Sequence, residues 1–115
     1  MRAMRAEKFS SYEGLKLVDL PKPAVADGKV LLRVTAAGVT PLENTILSGH
    51  FPPAKAPLIL GSEGAGVVEK GGGTDFPVGS RVMFTGTYGV FEDGAYSEWL
   101  AVGKESLCLI PLLDT

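Results

Sequence analysis

The chain has 115 residues, 45% of them hydrophobic, a formal net charge of −2 and one cysteine. That length fits one domain able to bury roughly two-thirds of its unfolded surface. The weak negative charge, with Lys and Arg scattered rather than clustered, gives no electrostatic basis for binding nucleic acid or an anionic membrane. A single cysteine excludes an internal disulfide and any multi-cysteine metal cage. No apolar run approaches membrane-spanning length, and no hydrophobic segment follows the basic start Met1-Arg2-Ala3-Met4-Arg5, so a cytoplasmic location is expected.

In chain order, alternation predicts a strand over Arg2 to Lys8 and another over Leu15 to Leu20. Pro21 and Pro23 stop the second by removing donors and fixing φ. The Ala26-Asp27-Gly28 corner leads into Lys29 to Ala37, whose apolar centre predicts a central strand. Thr40-Pro41-Leu42-Glu43 reads as a capping box opening a helix over Pro41 to Ser48, with Gly49 at its C-terminal end. In this reading the Thr40 hydroxyl accepts from the Glu43 amide, and the Glu43 side chain reaches back to the Thr40 amide. Further strands are predicted at Gly64 to Glu69, Ser80 to Phe84, Ala95 to Val102 and Leu107 to Ile110. Short strands at even spacing with Gly- and Pro-rich corners predict a mainly β barrel or sandwich. Seven glycines between Leu60 and Met83 sit among Val-rich runs, which marks tight corners in a compact β structure, not a linker.

The chemistry is limited by what is missing. No Gly-x-Gly-x-x-Gly occurs, so a dinucleotide is not held here by the Rossmann route. His50, the only histidine, lies on a loop and either faces solvent or lines a pocket. One His and one distant Cys do not make a zinc site. Cys108, in an alternating run, is expected to be a small buried hydrophobe. Loop Thr85 to Ala95 carries Tyr88 and Phe91 between glycines. These rings either cover a flat substrate or pack on the barrel as a plug. Tyr96 and Trp99 belong to the core or to a domain contact.

Five blocks occur in a fixed order: Val34-Thr35-Ala36-Ala37-Gly38-Val39-Thr40-Pro41, Ser48-Gly49, Leu60-Gly61-Ser62-Glu63-Gly64-Ala65-Gly66-Val67-Val68-Glu69, Asp75-Phe76-Pro77-Val78-Gly79-Ser80-Arg81-Val82 and Gly94-Ala95-Tyr96-Ser97-Glu98-Trp99. Together they resemble the N-terminal catalytic domain of medium-chain dehydrogenase/reductases. The branch is that of the zinc-independent quinone oxidoreductases related to zeta-crystallin, and the resemblance runs from Met4 to Pro111. It implies a GroES-like, partly open β-barrel. Where zinc-using relatives place Cys and His, this chain has Thr40 and Ser62, so the resemblance implies no zinc and leaves Glu63 a structural role. Quinone oxidoreductases commonly carry Asn at the Thr40 position and Tyr at those of Thr45 and Phe51, and this chain departs at all three.

By that resemblance Thr40 is the candidate catalytic residue, Thr40 and Thr45 are candidates for cofactor contact, and Phe51, Tyr88 and Phe91 are candidates for the substrate pocket. Thr40 also serves as the helix N-cap, and the two roles are compatible because a hydroxyl both donates and accepts. The implied reaction is hydride transfer from NADPH to a quinone or an electron-poor C=C bond. A Rossmann domain would follow in sequence, the crossover starting at Leu112 to Thr115, so residues 1 to 115 are expected to form the catalytic domain alone and to be inactive by themselves. Surface normally covered by the missing part is expected to be exposed and to favour self-association. The alternative is a stand-alone GroES-like binding module of the co-chaperonin type.

Overall fold

The structure is a computed structural model, and it describes residues 1–111. Eight strands form two antiparallel sheets: β1 (Arg2–Ala6), β2 (Leu15–Asp19), β3 (Lys29–Ala37), β4 (Leu58–Ile59), β5 (Glu63–Lys70), β6 (Arg81–Thr85), β7 (Trp99–Gly103) and β8 (Leu107–Leu109). One helix, α1, spans Pro41–Leu47. The smaller sheet has the order β2-β1-β4 and the larger β7-β3-β5-β6-β8. Neither closes on itself, so the fold is the mainly β, partly open GroES-like arrangement that the resemblance implies. The expected crossover at residues 112 to 115 lies outside the described residues.

The apolar run in β3 explains its place. Val30 and Leu32 point into the main core with Val68, Val82, Leu100 and Val102, while Leu31, on the opposite face, is just as deeply buried. A strand buried on both faces needs a continuous apolar sequence. It pairs with β5 on one side and β7 on the other. A second core gathers Ala6, Ile46, Leu47, Ala54, Leu58, Leu60 and Val90 beneath α1. A seven-residue helix is too short to persist alone, and Ile46 and Leu47 dock it there.

The strand expected over Ala95 to Val102 begins only at Trp99. Its first part bonds elsewhere: Ala95 N–H donates to Gly61 O at 2.9 Å, Tyr96 N–H to Leu60 O at 2.9 Å, and Met4 N–H to Tyr96 O at 2.8 Å. Residues 94–98 thereby tie the small sheet to the large one. The tie requires glycine at Gly61, whose φ is +106° and whose added Cβ would lie 2.8 Å from the Tyr96 ring. The feet of the following loop press on the same spot. A Cβ at Gly89 would fall 2.5 Å from Gly61 N, and one at Gly94 2.3 Å from Gly61 O.

Cys108 corrects the expectation of a buried side chain: it is exposed. β8 is an edge strand in which Cys108 pairs with Met83, itself 49% exposed, on a face left uncovered among the described residues.

Candidate cofactor and substrate site

The chain leaves β3 through Gly38-Val39-Thr40 and enters α1 beside the start of β5. Gly38 N–H donates to Glu63 O at 3.0 Å. The Glu63 side chain lies over the Gly38 backbone, where an added Cβ would come within 2.6 Å of Oε1. Any larger residue at Gly38 would displace that carboxylate. Glu63 is exposed, and it lines a cavity of about 410 Å³ together with Gly38, Gly64, Phe84, Thr85 and Cys108. The walls are mostly apolar and the carboxylate sits at the edge.

Thr40 is the N-cap of α1, and the capping box with Glu43 is present. As the sequence predicts, the Glu43 side chain reaches back to the Thr40 amide. The Thr40 N–H donates to Glu43 Oε1 at 3.2 Å, and the Thr40 hydroxyl donates to Glu43 Oε2 at 2.8 Å. The Glu43 amide also meets the Thr40 carbonyl at 3.2 Å. Glu43 is 4% exposed and is the one charged residue in the core among the described residues. Thr45 shows the same economy of donors: its hydroxyl bonds back to Pro41 O at 3.0 Å. Both hydroxyls therefore have their hydrogens engaged and their lone pairs left over.

Two aromatics, Phe51 and Tyr96, stand at this corner. Phe51 is half-buried and packs on the second core with Leu42 and Tyr96. The Tyr96 hydroxyl lies 3.4 Å from Gly38 O. Burial, and then the nearby Glu43 charge, holds the Tyr96 phenol above its ordinary range. Tyr88 takes the plug arrangement: it is 4% exposed, meets Phe84 edge-on, and accepts the Gly103 N–H at 2.9 Å. Phe91, 65% exposed, stands at the tip of the same loop. The structure thus places Thr40, Thr45 and Phe51 along one segment, sends Tyr88 into the core and leaves Phe91 in solvent. None of the five lines the 410 Å³ cavity.

Sequence reasoning missed that cavity and the buried carboxylate. The capping box pointed to Glu43, but such boxes ordinarily lie at the surface, so its burial had no signal. His50 is exposed on its loop. Trp99 closes the far side of the sheet: its Nε1–H donates to Glu69 Oε1 at 3.0 Å, and Lys22, ion-paired with Glu69, lies 4.5 Å over the ring. Among the described residues there is no group of three or more His, Cys, Asp or Glu able to hold a metal ion.

Residues 26–112 match the alcohol dehydrogenase GroES-like domain. The chain belongs to this family. Its GroES-like domain is that found at the N-terminal end of medium-chain dehydrogenase/reductases. It is 35% identical to a human quinone oxidoreductase over 117 residues, covering 96% of this chain and 34% of that protein. It is 33% identical to an alcohol dehydrogenase of Geobacillus stearothermophilus, covering 94% of this chain and 32% of the relative. A mycobacterial protein solved in complex with NADPH superposes with a TM-score of 0.82 at 28% identity, covering 96% of this chain and 34% of that one. The GroES-like chain therefore spans about a third of the length of these relatives. Quinone oxidoreductases and alcohol dehydrogenases both occur among the relatives it resembles. No helix among the described residues is long and apolar enough to cross a membrane.

Proposed function

We propose that this domain forms the substrate-side wall of a zinc-free, NADPH-dependent reductase acting on quinones or electron-poor C=C bonds. One observation carries the reading: the Thr40 hydroxyl has given its hydrogen to a buried carboxylate and keeps only lone pairs for a ligand. A neutral threonine in that state is a poor ligand for zinc, which takes thiolate, imidazole or carboxylate. It is well suited to receive an N–H or O–H.

These residues fit the nicotinamide end of a dinucleotide and not its phosphates. Gly61, Gly64 and Gly66 lie in β structure and its entry turn, so they form no phosphate-binding loop at a helix start. The pyrophosphate is then held by a Rossmann domain in cis, as the family architecture implies. NADPH supplies the hydride when bound. This chain's part is to orient and to exclude water: α1 and Phe51 set one side, and the apolar cavity beside Gly38 and Glu63 offers room for a flat substrate. Thr40 and Thr45 are the proposed cofactor contacts, and Phe91 is the proposed mobile cover. The exposed edge at Met83, Cys108 and Leu109 is the proposed surface for the rest of the enzyme, or for self-association of this chain alone.

The test is NADPH oxidation by the enzyme carrying this domain and its cofactor domain, assayed with a panel of quinones and enones after metal chelation. Turnover that persists in chelator supports the reading, and loss restored by zinc overturns it. The isolated chain should show no NADPH binding by titration.

A further inference from the structure

We propose that Glu43 is a positioning residue: by taking both hydrogens of Thr40, it fixes Thr40 Oγ1 as an acceptor, so that Thr40 recognises a donor on the nicotinamide-riboside end of the cofactor and not the carbonyl of the substrate. The inference rests on the NADPH-dependent reading above and adds to it a division of labour between cofactor and substrate.

The geometry is specific. One carboxylate, 96% buried by its 4% exposure, meets the amide and the hydroxyl of the same residue through its two oxygens, at 3.2 and 2.8 Å. The 2.8 Å bond runs from the Thr40 hydroxyl to Glu43 Oε2, so the hydroxyl hydrogen points at Glu43. A rotating threonine hydroxyl would suit either a donor or an acceptor. This one cannot turn its hydrogen outward without leaving a buried acceptor short of a partner. Thr40 itself is half-buried. The matching chemistry is a carboxamide N–H or a ribose O–H. A quinone or enone oxygen, which only accepts, would meet lone pairs and be repelled. Thr45 repeats the polarity one turn later through its bond to Pro41 O.

The bond can be tested in this chain without any ligand. NMR should show a slowly exchanging Thr40 hydroxyl proton and a downfield Thr40 amide. Both should be lost in Glu43→Met, which keeps the volume and removes the acceptor. A hydroxyl proton averaged with water in the wild type would overturn the proposal. Glu43→Gln, which keeps one acceptor oxygen, serves if Glu43→Met does not fold, and it should weaken one of the two signals.

In the enzyme with its cofactor domain, Glu43→Met should raise KM for NADPH about tenfold while quinone KM moves less than about twofold. Thr40→Val should do the same, and the double variant should be no worse than either single one. Thr40→Ser should restore the wild-type value. A cofactor analogue with an acetyl group in place of the carboxamide should lose affinity in the wild type and not in Thr40→Val. If the loss follows instead a deoxy-ribose analogue, the donor is the ribose. Additive effects, or a rise in quinone KM in place of NADPH KM, would overturn the proposal. An enzyme that binds no NADPH refutes the proposed function, and the NMR result still decides the role of Glu43.

Discussion

Two carboxylates in this domain each gather two partners, in opposite settings. Glu43, in the first turn of α1, is buried and takes both hydrogens from one neutral residue three positions earlier. Glu69, on β5, has a side chain one-third exposed, and its partners come from distant parts of the chain: the Trp99 indole and the Lys22 ammonium. The first arrangement is local in sequence and dry. It can fix a hydroxyl's direction because no water competes for the bond. The second is long-range and wet, and it pins the Pro-bounded segment before β3 across the sheet. Burial, not the number of bonds, separates a contact that can fix a hydroxyl's direction from one that fastens a loop.

That contrast can be broken experimentally. Glu43→Ala strips both Thr40 donors of their acceptor in the core and should lower unfolding free energy by about 2 kcal/mol, read from urea denaturation. An unchanged midpoint would show that water replaces the carboxylate. Trp99→Ala removes a half-buried ring and should lose about 1 kcal/mol in the same assay. Added salt should narrow the gap between wild type and Lys22→Met, because that ion pair meets solvent, while leaving the Glu43→Ala deficit intact. The pH limbs sharpen the comparison further. Lys22 first, then the Trp99 N–H, holds the Glu69 carboxyl below its ordinary range. A carboxyl depressed on folding contributes stability above its unfolded pKa, and that contribution is lost as pH falls through the folded value. Glu69→Gln should therefore flatten part of the acid decline in melting temperature. The smallest effect belongs to Tyr96, raised by burial and by Glu43. Its contribution is complete below the ordinary phenol range and fades as pH rises through it to the folded value, so Tyr96→Phe should soften the alkaline limb.

Elements with their own chemistry could be read from the sequence. The apolar run of β3 placed that strand at Lys29–Ala37, as expected, and the capping box placed α1 to within a residue. Elements defined by their neighbours could not. β4 is only Leu58–Ile59, too short to alternate. Residues 95–98 have strand character but bond to β1 and to the turn at 60–61, so the pairing was set by packing. Cys108 alternates like a core residue and is exposed, because alternation gives two faces and does not say which one a sheet edge leaves bare. At the candidate site, the capping box paired Thr40 with Glu43 in the sequence, and the structure keeps that pair. The sequence could not supply the direction of their hydrogen bond, which depends on Glu43 being buried. It also left Tyr88 undecided between cover and plug, since a ring between glycines fits both until its hydroxyl finds the Gly103 amide.

The backbone contacts at Gly61 bear on how this domain can diversify. Both feet of the loop from Gly89 to Gly94 are set against one residue, and the Asp93 side chain accepts the Ile59 N–H at 3.0 Å between them. Val90 is buried below. An insertion or deletion between the feet must break at least one of these seats, whereas exchange at Phe91 and Glu92 disturbs none. The seated feet therefore fix the loop's length, and Phe91 and Glu92, both exposed, are the positions where side chains can change without disturbing the seats.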